Sequence, residues 1–390
     1  MKKLILFFLP LFALAQANTE VHLFDIKKNG KDWEVSNGKN ISNNKAYDNQ
    51  PHFYDNNTIV FSSTRNKQTD IAKYNIRTGK ISFINNTPNG GEYSPQRIPG
   101  SKNISAVRLD KDGKQLFYEY DFTSGKHKTL INDLVVAYPV WFDNNTLVSS
   151  AIVNDSLELN VTNIKTQKSI PLIKNVGRSF HKIPNTELIS YIKKSGQTWQ
   201  VWSLNPKTLE KKSITNIMEN QDICWLPDGT LLISSKNVIF KYHPKKDQGW
   251  SLFHQFTNEE INNISRITVN KDATQLAIVA EESPKHVVQK QIEAYNNRDL
   301  KSFLATFSDN VKVYTYLDKL NYEGKKKMKL VYGPMFKSVK DLNCKTLTRI
   351  IKGNKVIDEE QITVNGKSFK TVAIYEVNNG KITTLRFLRQ

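Results

Sequence analysis

Cysteine is nearly absent: 390 residues carry two, Cys224 and Cys344. A chain of this size has core enough to do without disulfides, so both are expected as small buried hydrophobes, not bonded together. There is no C-x-x-C pair, no G-x-S-x-G nucleophile elbow, no H-E-x-x-H and no G-x-G-x-x-G phosphate turn. These absences remove the compact signatures of zinc, thiol-redox, serine-hydrolase and dinucleotide chemistry. His22, His52, His127, His181, His243 and His254 are scattered singly without metal-ligand spacing, so they are expected at turns or on the surface, and neither metal nor cofactor is expected. Long hydrophobic runs are missing too. The run Leu4–Leu14, interrupted by Pro10, is too short to span a bilayer.

That run has another reading. Lys2 and Lys3 precede it and Ala15-Gln16-Ala17 follows it, the layout of a cleaved secretory leader over residues 1–17. The mature chain is then expected to start near Asn18, to lack a transmembrane segment and to be periplasmic or extracellular. No cysteine follows the cleavage point to take a lipid anchor.

Acidic residues are scarce relative to basic ones. The formal charge is +19, and from Lys285 onward 21 Lys and Arg stand against 10 Asp and Glu. Export argues against nucleic acid as the partner. A solubilising lysine-rich surface explains the excess, with anionic envelope polymers as the functional alternative.

What is present is a repeat. Apolar residues that follow a polar turn recur at Ile59, Ile104, Leu147, Leu188, Leu231 and Leu276, with spacings of 45, 43, 41, 43 and 45 residues. That is the period of four-stranded propeller blades. Pro51-His52-Phe53-Tyr54-Asp55-Asn56-Asn57-Thr58-Ile59-Val60 is echoed by Pro139-Val140-Trp141-Phe142-Asp143-Asn144-Asn145-Thr146-Leu147-Val148. Within a unit the pattern has period 2, and Gly79 and Gly125 supply hairpin turns. The last unit has only two strands, Ile264–Val269 and Gln275–Ala280. Two N-terminal strands, Val21–Lys27 and Lys31–Val35, are left to complete it and close a six-bladed ring without free sheet edges. The six tryptophans lie on or beside strands and are expected in packing roles.

The segments Phe61-Ser62-Ser63-Thr64-Arg65 and Asp70-Ile71-Ala72-Lys73-Tyr74 resemble the TolB-like β-propellers over residues 18–282. The resemblance implies a disc whose loops meet a protein or glycan partner. Where such propellers precede a serine peptidase, the partner domain is far longer than the one here, so peptidase activity is not expected.

Near Pro284 the period changes from 2 to 3.6. Val288, Ile292 and Tyr295 share one helical face, and Leu300, Phe303, Leu304 and Phe307 form a second short helix. A strand over Val311–Leu317 follows, then a helix over Lys325–Phe336 with a kink or break at Gly333-Pro334. A meander closes the chain: Asn343–Ile351, Val356–Val364, Ser368–Val377 and Lys381–Leu388. The expected fold class is therefore multidomain: an all-β six-bladed propeller plus an α+β domain over 285–390.

The stretches Gln291–Leu300, Phe307–Val311, Tyr322–Lys325 and Asn379–Ile382 resemble the SnoaL-like, nuclear-transport-factor-like superfamily. That resemblance implies a cone-shaped (cystatin-like) fold, an apolar pocket and, in some members, isomerase or cyclase activity. Its isomerases' helix tyrosine maps to Gln291, their general base to Thr315 and their oxyanion-side aspartate near Val372. None of the three has the required chemistry. By alternation Asp358 and Glu360 share a strand face. The candidate ligand-binding residues are Tyr295, Tyr314, Thr315, Tyr316, Asp358, Glu360 and Tyr375; a solvated strand face is the alternative for the carboxylates. No catalytic residue is assigned. The functional expectation is an exported, non-catalytic binding or scaffold protein whose C-terminal domain takes a small apolar ligand or forms a homodimer. The alternative is an isomerase- or cyclase-type enzyme in that domain.

Overall fold

The computed structural model describes residues 18–30, 32–44, 46–196, 198–217, 222–257, 261–316 and 318–388, so the expected leader lies outside the described residues. Residues 18–281 form six four-stranded antiparallel sheets. The innermost strands, Asp48–Asp55, Gly90–Arg97, Val136–Trp141, Val176–Lys182, Ile223–Trp225 and Asn262–Val269, touch one another in turn and return to the first, a closed ring. The expected closure is present: Thr19–Asn29 pairs with Gln275–Glu281 from Thr19↔Glu281 to Asp25↔Gln275, and Asp32–Asn40 pairs outside it.

The blade strands are apolar almost without interruption because both faces are covered. In Ile59-Val60-Phe61 the outer two residues join Val21, Ala277 and Val279 between the first and closing blades. Val60 turns the other way and meets Ile104 and Tyr120 of the next blade. Each of the six seams has its own buried cluster of this kind. Trp141 and Trp225 hold equivalent places two blades apart, each donating its indole N–H to a serine of the preceding blade, Ser105 at 2.8 Å and Ser190 at 2.9 Å. One repeat position is off by a residue. The turn from Ile183 to Leu188 is one longer than that from Phe142 to Thr146, so Ile189 takes the buried seat expected for Leu188.

Gly79 (φ +67°) and Gly125 (φ +70°) both use the left-handed region in their hairpin turns. A Cβ on Gly79 meets nothing closer than 3.4 Å, whereas on Gly125 it lies 2.2 Å from the Ile84 carbonyl oxygen. Gly79→Ala should therefore cost about 1 kcal/mol, the left-handed penalty alone, and Gly125→Ala at least twice that. Urea unfolding followed by tryptophan emission measures both, and equal losses would show that the clash is absorbed.

Three of the six histidines differ from expectation, whereas His127 is exposed. His22 is buried, and His52 and His181 line the channel inside the ring; inner-strand residues of a propeller face the axis, not solvent.

The chain then enters a second unit through Glu282 and Ser283, with Lys290 of the first helix paired to Glu282. Its helices are α1 (Pro284–Asn296), α2 (Leu300–Ala305) and α3 (Lys325–Ser338). Its strands are β1 (Phe307–Thr315), β2 (Lys319–Glu323), β3 (Asn343–Lys352), β4 (Lys355–Val364), β5 (Lys367–Asn378) and β6 (Lys381–Leu388). The sheet order is β2-β1-β6-β5-β4-β3, with β1 parallel to β6 and the other pairs antiparallel. The strand β2 escapes sequence reading because Tyr322 is its only buried residue. Pro334 does not break α3. The carbonyl it leaves unpaired belongs to Leu330, which is 69% exposed, so water can satisfy it.

Candidate functional site

The helix-facing side of the second sheet carries a cluster of ionisable side chains inside this unit's apolar core. Alternation along β4 turns Val356, Asp358 and Glu360 toward the helices and Glu359 away, where it meets Lys370 at 3.3 Å. The two inward carboxylates have different surroundings. Asp358 is fully buried and opposite Arg349 on β3, which grips it in a fork, Nε to Oδ1 at 2.8 Å and Nη2 to Oδ2 at 2.6 Å. Arg349 is steadied in turn by Gln289 of α1.

Glu360 has no such ion pair. It is 2% exposed, and its Oε1 accepts the Tyr375 hydroxyl from β5 at 2.6 Å. Burial pushes its carboxyl up to about 7; Asp358 adds to the rise, while the bonds from Tyr375 and Cys344 and the charge of Arg349 only partly oppose it. Burial likewise drives the Tyr375 hydroxyl and the Cys344 thiol upward, so both stay protonated and donate. Around neutrality Glu360 is thus the group here that can exchange a proton. Asn296 of α1 fixes the end of β3 by accepting from the Cys344 N–H at 2.7 Å and donating to its carbonyl at 3.0 Å.

Glu360 and Tyr375 line a cavity of about 220 Å³. Tyr332 and Met335 of α3 and Ile362, Phe369, Leu385 and Phe387 of the sheet make its walls apolar. Gln291 also lines it, 5% exposed, and its Oε1 has no hydrogen-bond partner. A buried acceptor left open costs roughly 1–3 kcal/mol, which a donor brought in by a ligand would recover. The arrangement therefore fits a compact apolar body with one hydroxyl, which can donate to the Gln291 amide oxygen and meet the Glu360 carboxyl and the Tyr375 phenol.

Of the seven residues singled out from sequence, Tyr295, Glu360 and Tyr375 line this cavity, and Tyr314, Thr315, Tyr316 and Asp358 do not. Alternation along β1 spends its inward positions on Val311 and Val313, so Tyr314 faces the other side, under the Arg386 guanidinium at 4.6 Å. Thr315 ends the strand against Lys319 and Phe387. Tyr316 is 63% exposed at the hairpin tip. Asp358 is consumed by Arg349. Gln291, Cys344 and Tyr332 are the residues that sequence reading missed. Gln291 lies one helical turn before Tyr295, and that spacing puts it on the same helix face.

No helix among the described residues is long and apolar enough to cross a membrane. A search of the curated proteins finds no match to the chain. Among solved structures, TolB from Acinetobacter baumannii is similar over 68% of this chain and 64% of its own, at 12% identity and a TM-score of 0.44. An uncharacterised cystatin-fold protein from Novosphingobium aromaticivorans is similar over 27% of this chain and 98% of its own, at 20% identity and a TM-score of 0.26. An NTF2-like protein of unknown function from Cytophaga hutchinsonii covers 27% of this chain and 88% of its own, at 19% identity and a TM-score of 0.24. Residues 288–385, a span that holds every residue lining the cavity except Phe387, match the SnoaL-like domain family.

Proposed function

We propose that this is an exported binding protein whose C-terminal domain takes a small, mostly apolar molecule and holds that molecule's one polar group on Glu360, Tyr375 and Gln291. The observation that carries the reading is a largely apolar cavity whose lining includes a buried carboxyl with no ion pair, bonded to the Tyr375 hydroxyl. The leader-like pattern of residues 1–17 supports export. The ring would offer its loops to an envelope or secreted protein or glycan, as the resemblance to TolB-like propellers implies.

The test is equilibrium binding of a polycyclic fluorophore bearing a single hydroxyl. Met335→Trp, which fills the cavity, should weaken binding at least about tenfold, the equivalent of 1.4 kcal/mol. Glu360→Gln keeps an acceptor for Tyr375 and should change affinity only a few-fold near pH 6. Unchanged binding by Met335→Trp would remove the cavity from the account.

One observation favours a second reading, proton transfer: a general base works best with a pKa near the operating pH, and Glu360 sits at about 7. On that reading the wild type, and not Glu360→Gln, catalyses deuterium uptake beside the carbonyl of a bound cyclic ketone. Equal exchange by both proteins leaves binding alone.

A further inference from the structure

The ring encloses a cavity of about 390 Å³ lined by all six innermost strands. Its charged lining is one-sided: Arg97, Arg178, Lys182 and Arg266 face a single carboxylate, Asp222. That carboxylate is already committed, accepting from Arg266 Nη1 at 3.1 Å and from the Ile267 N–H at 2.8 Å. Arg266 is further held over the Tyr138 ring. Arg178 is left over. It donates one hydrogen bond, Nη2 to the Ser265 carbonyl at 2.9 Å, and its buried Nε has no partner. Burial and the facing charge of Arg266 both weigh against its protonated form, and Asp222 only partly offsets them. His52 and His181 add two imidazoles to the same lining, held neutral by burial. A half-buried guanidinium whose buried Nε is unpaired and whose charge has no carboxylate of its own is costly for a fold that has no use for it.

We infer that the propeller channel is an anion-binding site, taking a carboxylate or phosphate group between the guanidiniums of Arg178 and Arg266. Asp222 positions Arg266, and the exposed Arg97 and Lys182 at the ends of two inner strands raise the local concentration of anions. This site is independent of the cavity in the C-terminal domain and of any role for the propeller loops.

All six tryptophans lie in the propeller part of the chain, so the melting of the ring in the full-length protein can be followed by their emission. Inorganic phosphate and citrate, each compared with chloride at matched ionic strength, are the probes. The expected result is a saturable rise in melting temperature with one or both oxyanions and none with chloride. Phosphate alone, citrate alone, or both acting assigns the site to phosphates, to carboxylates, or to either. Arg178→Gln should weaken the response at least tenfold, whereas Lys128→Gln, on the outer surface, should leave it unchanged. Arg178→Met separates binding from scaffolding: it should lose the response yet melt about 2–4 °C higher in chloride, since an uncompensated charge has been removed. A rise of equal size in wild type and Arg178→Gln, or no rise with either oxyanion, would overturn the inference. So would a lower melting temperature for Arg178→Met in chloride.

Discussion

Arg349→Leu should destabilise the C-terminal domain by about 3–5 kcal/mol, the cost of leaving a buried carboxylate without its partner. Asp358 is fully buried and Arg349 supplies its two shortest contacts. Pairing the change with Asp358→Leu should recover most of the loss, because two apolar side chains of similar volume need no compensation. The domain has no tryptophan, so the lesion should be invisible to tryptophan emission and appear in amide exchange over β3, β4 and β5. A tryptophan transition that shifts as much as the exchange would mean the two units unfold as one. Full protection of those strands in Arg349→Leu would mean that the fork contributes little.

Glu360→Gln carries the second large effect, and its sign depends on pH. The folded carboxyl is raised from 4.5 to about 7, so folding takes up a proton in that interval. The native protonated form is fully favoured below pH 4.5, and the advantage is lost as pH rises through 7. Glutamine has nothing to ionise. Relative to wild type, Glu360→Gln should gain stability between those limits by on the order of 3 kcal/mol and keep a constant margin above them. Calorimetry of the full chain measures it as the transition that tryptophan emission does not follow. Glu20, in the closing blade, is also raised to about 7, and Asp48, Asp70, Glu92 and Glu281 are raised by burial, so the pH dependence of wild type alone mixes several carboxyls; the difference between the two proteins isolates Glu360. A margin that shrinks as pH rises would refute the assignment.

The ring was legible because each blade repeats one pattern: Pro51–Val60 and Pro139–Val148 align without a gap with six of ten residues identical, and the unfilled last unit demanded the N-terminal strands. The cone was legible from the change of period at Pro284 and from the turns of the meander. The cavity was only half legible. Alternation placed Asp358 and Glu360 on one face but could not reveal that Arg349, nine residues away across a hairpin, would claim one and spare the other. Tyr314 looked equivalent to Tyr375, yet the phase of β1 is set by Val311 and Val313. The channel left no local mark at all. Arg178, Asp222 and Arg266 are separated by about one blade each and meet only after closure, and His52 and His181 read as turn or surface residues until the axis of the ring exists.

The account rests on Glu360 as a buried carboxyl that keeps its proton near neutrality in the lining of a largely apolar cavity. Carbon-13 titration of its carboxyl in the full-length protein, assigned by loss of the signal in Glu360→Gln, tests this directly. The predicted midpoint is near 7. Saturation of the cavity with the hydroxylated fluorophore should move that midpoint. A midpoint at the ordinary glutamate value, indifferent to the fluorophore, would contradict the account.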